Sequence, residues 1–234
     1  IIRYNIREAP FMTNPRLEKI YQEAGRLFLT KGYANTKMAE IAKASGIAVG
    51  TMYSAFSGKD AVFSFVLHAT LDPEHFSDNV ILPIKPAMAL ELIPLLKKLD
   101  KILDSIMIIT DDNGNIRKDF PTLTGELFDF FADYLFATDN IKKNAEIYHE
   151  LREIYFPSEK KYFLKLNDCL KRYMEAGQIR SFDHMMSHAS YLTDTMTWWA
   201  LNANMQNPGE PVPRDTAKEI CIGIVQRAYQ TDRK

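Results

Sequence analysis

The residues with the clearest chemical potential lie between Ala48 and Phe56. If this stretch is helical with Met52 and Phe56 on its core side, a turn of 100° per residue puts Gly50 and Ser54 on the opposite face. Thr51 and Tyr53 then flank that face. Short polar side chains of this kind let a helix come close to base edges and phosphate oxygens in a major groove. An ordinary helical hairpin would show the same spacing, so geometry alone leaves both readings open.

Other candidate chemistry is thinner. His184 and His188 stand four apart on one expected helix face, a spacing zinc can bridge, but only Asp183 lies nearby as a third ligand. They are expected to be surface histidines, and no metal or cofactor is expected. Cys169 and Cys221 are the only cysteines, too few for a disulfide framework or a four-cysteine zinc site, and a reducing cytoplasm fits them best. The chain has no Gly-x-Ser-x-Gly elbow, no phosphate-cradling Gly-x-x-x-x-Gly-Lys loop, no Rossmann glycines and no His-Glu-x-x-His. An enzyme is therefore not expected, although catalytic groups can be scattered. The remaining rival is an adaptor whose helical body binds a protein.

The elements that must position the 48–56 segment are helical throughout, without period-two alternation. Asn14-Pro15 is a strong helix start, and Leu17, Ile20, Ala24, Leu27 and Phe28 form one stripe. Lys31-Gly32 should close that helix. A short helix over about 37–44 buries Met38, Ile41 and Ala42, and Ser45-Gly46-Ile47 makes a tight turn before the third helix. A fourth begins near Lys59 and packs through Val62, Phe63, Val66 and Leu67. Prolines at 73, 83 and 86 suggest a boundary near residue 72, dividing the chain into a head at 1–72 and a body at 73–234.

The body is expected to hold longer helices over about 87–109, 122–137, 140–176, 184–206 and 214–230. Pro157 should kink or break the third, and Asn207-Pro208-Gly209 should separate the last two. Nowhere does the chain show the eighteen-residue apolar run of a membrane span, and Arg3, Arg7 and Glu8 argue against a signal peptide.

Net charge is −1, unevenly distributed. Residues 1–70 carry nine Lys and Arg against five Asp and Glu, whereas the rest is acidic. A basic head on an acidic body suits contact with a polyanion.

The stretch from Gly32-Tyr33 through Ile41-Ala42-Lys43-Ala44-Ser45-Gly46-Ile47 to Gly50-Thr51-Met52-Tyr53-Ser54-Ala55-Phe56-Ser57-Gly58-Lys59 resembles the DNA-binding signature of the TetR family of bacterial repressors. The resemblance implies an all-α protein, with an N-terminal three-helix helix-turn-helix DNA-binding domain and a larger C-terminal helical domain for effector binding and dimerisation. By the same resemblance, Gly50, Thr51, Tyr53 and Ser54 meet the major groove, with Thr51 and Tyr53 donating to phosphates. Lys59, Thr36 and Lys37 fall at family positions for backbone contact.

Val49 stands where many members carry a polar or basic residue, and Lys37 where many carry Thr. Base readout here is expected to lean on Val49 or Ala48 against thymine methyls, on Ser54 and on DNA shape.

Beyond residue 70 the likeness is one of layout. It implies a homodimer, bound to double-stranded pseudo-palindromic operator DNA, in which the last two helices pair with their twins. Ile220, Gly223, Ile224 and Ala228 would form the seam. It also implies repression relieved by a small, largely apolar effector. A pocket for that effector could draw on Phe131, Tyr148, Tyr191, Asp194 and Trp198, although most aromatic residues of a helical body are core.

Overall fold

The computed structural model describes residues 14–76, 80–144, 146–202 and 212–231. The expected loop at Asn207-Pro208-Gly209 and the first thirteen residues lie outside them. The described residues form nine α-helices, one 3-10 turn and two isolated β-bridges, with no strand among them. The all-α expectation holds.

Helix α1 (Pro15–Lys31) starts as the sequence predicts: the Asn14 side chain accepts from the Arg16 and Leu17 amides at 3.0 and 3.4 Å. It ends where Gly32 takes a φ of 78°. Helices α2 (Met38–Ala44) and α3 (Val49–Ala55) are two turns each, joined through Gly46 at a φ of 70°. Helix α4 (Lys59–Leu71) is buried without interruption from Ala61 to Leu71, which is why its sequence is apolar all round. A 3-10 turn (Pro73–Phe76) follows. Next come α5 (Ala89–Ile106), α6 (Phe120–Lys143), α7 (His149–Glu175), α8 (Met185–Asn202) and α9 (Arg214–Tyr229).

The break expected after residue 137 falls after Lys143 instead, and Pro157 does not interrupt α7. Helix α6 runs past Thr138-Asp139 to Lys143, because these turn-forming residues are satisfied within the helix. Thr138 Oγ1 donates to the Tyr134 carbonyl at 3.3 Å, Asn140 Nδ2 to the Phe136 carbonyl at 2.8 Å, and Asp139 pairs with Lys143. Helix α7 likewise continues through Pro157.

By internal contacts the chain divides into two compact units. One holds the head helices and continues to Leu99, adding residues 133–155. The other holds residues 100–132 and everything from Phe156 onward. The first unit thus extends beyond the division expected at residue 72.

Within the first unit, α1 and α4 pack together around Tyr21, Phe28, Phe56, Phe63 and Phe65. Phe136 joins this core: its ring sits against Gly25 of α1, where a Cβ would collide with it. In the second unit, Phe120, Tyr173 and Tyr229 meet edge to edge or tilted, and the Tyr173 hydroxyl donates to the Lys118 carbonyl at 2.9 Å.

Candidate nucleic-acid interface

Helix α3 is short, and its inward side is well defined: Met52 and Phe56 are fully buried and Ala55 nearly so. What remains outward is Val49 at 42% exposure, Tyr53 at 54%, Gly50 and Ser54, with Thr51 half-buried beside them. The structure therefore brings together all five α3 residues that the sequence singled out. A Cβ at Gly50 would meet nothing within 4 Å, so the middle of this face is open to a partner. The Ser54 hydroxyl bonds back to the Gly50 carbonyl at 3.0 Å, leaving its oxygen lone pairs outward to accept.

The turn between α1 and α2 is held by several side chains. Tyr33 is central: its hydroxyl donates to Asp60, its ring lies between Phe28 and Phe63, and Lys59 Nζ stands 4.1 Å from its centroid. Burial, and then the Asp60 carboxylate, hold the Tyr33 phenol above its ordinary pKa, so it stays a donor. Lys59 Nζ also donates to the Tyr33 carbonyl at 2.8 Å. The lysine expected to meet phosphate is thus already tied to the turn, while an ammonium carries three donors and can add a phosphate.

Lys37, by contrast, is exposed at the N-terminus of α2, where its amide donates to the Glu40 carboxylate at 3.0 Å. Thr36 departs from expectation. It is 1% exposed, and its hydroxyl donates inward to the Gly32 carbonyl at 2.8 Å, with Leu27 at 3.3 Å. That hydroxyl shapes the turn from inside and does not face a DNA backbone.

Two residues of this site were invisible in the sequence. The Tyr33 amide donates to Asn144 Oδ1 at 2.7 Å, across 111 positions of chain. Asn144 is buried and donates in turn to the Asn140 carbonyl at 3.0 Å, while Asn140 bonds back to Phe136. The head turn is therefore fixed by the end of α6, and no local motif signals such a contact.

The residues expected to line a pocket lie in different surroundings. Phe131 is core, packed edge-on against Phe130 and Tyr162. Tyr191, Asp194 and Trp198 are exposed along α8. Tyr148 belongs to the first unit, where it stacks on Phe63 and donates to the Ala87 carbonyl at 3.0 Å. Of the proposed seam, Ile220 and Ile224 are 39% and 41% exposed, Gly223 has open space around it, and Ala228 is half-buried. Tyr191 and Ala228 border one open groove of about 430 Å³, with Arg180, Ser187, His188 and Tyr229. His184 and His188 do not converge on a ligand site: His188 Nδ1 bonds the Tyr229 hydroxyl at 2.8 Å, and its ring packs on Phe182.

Two short helices joined by a glycine turn, the second with a small outward face on a buried base, define a helix-turn-helix DNA-binding domain. Residues 20–65 match the family model of the bacterial regulatory proteins, tetR family, so this segment is similar to the DNA-binding domain of those regulators.

The fold is similar to that of the ketosteroid transcriptional regulator KstR2 of Mycobacterium tuberculosis. The two are 16% identical, over 97% of this chain and 100% of that one, with a TM-score of 0.55. It is also similar to the probable transcriptional regulatory protein RHA5900, at 17% identity over 92% of this chain and 100% of that one, TM-score 0.56. No curated protein matches the chain. No described helix is long and apolar enough to cross a membrane.

Proposed function

We propose that the chain represses transcription as a homodimer on a pseudo-palindromic operator and is released by a small apolar effector. The observation that carries the DNA half is the outward face of α3, where Val49, Tyr53 and Ser54 surround the unobstructed Gly50 above a fully buried Met52. In this reading Val49 meets thymine methyls, Ser54 accepts from a base edge, and Thr51 and Tyr53 donate to phosphates. Lys37 supplies an exposed charge, and Lys59 adds a phosphate to the bond it already makes. Thr36 acts only by shaping the turn.

The homodimer reading is supported by Ile220 and Ile224, one turn apart and exposed on α9, with Gly223 leaving room beside them. The effector reading is supported by the open groove beside Tyr191, which offers aromatic wall and a few polar groups. Such an effector must bind the DNA-competent and released states differently, since equal affinity shifts nothing.

The test is selection of bound sequences from a random duplex pool, followed by titration of the enriched duplex. Recovery of a pseudo-palindrome bound by two chains supports the reading. A folded dimer that enriches no sequence at low salt removes it and moves weight to the adaptor.

A further inference from the structure

The last turn of α4 and the 3-10 turn after it bring together three side chains that DNA binding does not use. His68 stands in the last turn of α4, and Asp72 is the C-cap, its amide donating to the His68 carbonyl at 2.7 Å. Pro73 opens the 3-10 turn, which folds His75 back so that its ring lies over that of His68, centroids 4.0 Å apart and 26° from parallel. One donor atom from each of His68, Asp72 and His75 lies within 4.8 Å of the other two. It is the only such group of three among the described residues.

We propose that His68, Asp72 and His75 bind a divalent transition metal of the zinc class. Two imidazole nitrogens and one carboxylate oxygen are a ligand set zinc accepts, with a fourth position left to water or an incoming group. Magnesium and calcium, which prefer all-oxygen shells, suit it poorly.

His68 is buried, and its ring stacks on that of His75. Phe76 lies edge-on to both rings, 5.4 Å from His68 and 4.7 Å from His75, and gives the site an apolar wall. Burial is graded from His68 inside, through Asp72, to an exposed His75, so the site has a fixed base and an open rim. A tetrahedral ion with bonds of about 2.0–2.1 Å needs donors roughly 3.4 Å apart. His75, on the solvent side, is the ligand best placed to supply that closure.

Sequence spacing gave no warning of this group, because the His68–His75 separation of seven gains meaning only when the helix stops at Leu71.

The proposal goes beyond DNA binding and is tested without DNA. Untagged full-length chain, stripped with chelator, is titrated with Zn²⁺ by calorimetry and with Co²⁺ by visible absorption. One Zn²⁺ per chain is expected, with tetrahedral Co²⁺ absorption. His75→Ala and Asp72→Asn should each weaken Zn²⁺ by at least about tenfold and remove the Co²⁺ band, with helical circular dichroism unchanged. The exposed position of His75 keeps the test clear of misfolding. Absence of binding by the folded chain up to about 100 μM Zn²⁺ overturns the proposal. So does stoichiometric binding that His75→Ala leaves intact and His184→Ala with His188→Ala abolishes.

Discussion

Two exposed surfaces among the described residues differ in chemical style. On α3 the outward residues other than Val49 are small or polar-tipped, Gly50, Ser54 and Tyr53, above a core face of Met52, Ala55 and Phe56. On α9 they are large and apolar, Ile220 at 39% and Ile224 at 41% exposure. The first surface costs little to keep in water and offers donors and acceptors to a charged partner. The second leaves apolar area in water that association would remove, at roughly 25 cal/mol for each Å² covered. In the proposed reading one surface meets and leaves a ligand and the other remains paired.

That contrast can be broken most severely on α9. Ile224→Glu places a charge in the proposed seam, and sedimentation should then show monomer. Affinity for a two-half-site operator should fall by about 100-fold or more, as avidity is lost, while binding to one half-site is retained. A dimer that survives this change shows the apolar face to be something other than the pairing surface.

The hidden side of the head gives the next effect. Gly25→Ala gains helix propensity of about 1 kcal/mol yet drives a methyl into the Phe136 ring, so a net destabilisation of about 1–3 kcal/mol is expected from denaturant unfolding. A neutral or stabilising result would mean that Phe136 is not seated on α1.

On the outward face, Tyr53→Ala should weaken operator binding about tenfold for all duplexes alike, by loss of a hydrogen bond to a charged acceptor. A selective loss on one operator variant would instead make Tyr53 a base reader.

The smallest effect is that of Lys37→Ala, which should lower the slope of log affinity against log salt by about one unit for each bound subunit. An unchanged slope takes Lys37 off the DNA backbone.

The same two regions differ in how much of them could be read from the chain. In the head, signals and consequences are adjacent. Asn14 caps the helix that Pro15 begins, Gly32 ends it, and the three-to-four spacing of Met52 and Phe56 marks the side that is buried. Thr36 shows where analogy with a family overran the local physics, since its hydroxyl is spent inside the turn. Elsewhere, long-range contacts decide. Thr138 and Asn140 look like helix breakers until their side chains find carbonyls one turn back. Tyr148 looks like pocket material until its partners, Phe63 and Ala87, are known. Aromatic density predicts burial somewhere but carries no address, which is why Phe131 and Trp198 end up in such different surroundings.

The bond from the Tyr33 amide to Asn144, the Phe136 ring on Gly25 and the all-round burial of α4 bear on whether the DNA-reading part can be transplanted. A fragment cut at residue 72 would keep both short helices and every α3 residue discussed, yet leave the half-buried Tyr33 amide without its Asn144 partner and the flank of α1 bare. The transferable cassette is discontinuous: residues up to Leu99 together with 133–155. A chimera that grafts this reader onto a foreign sensor must carry that second segment along, as an insertion from the far side of the gene.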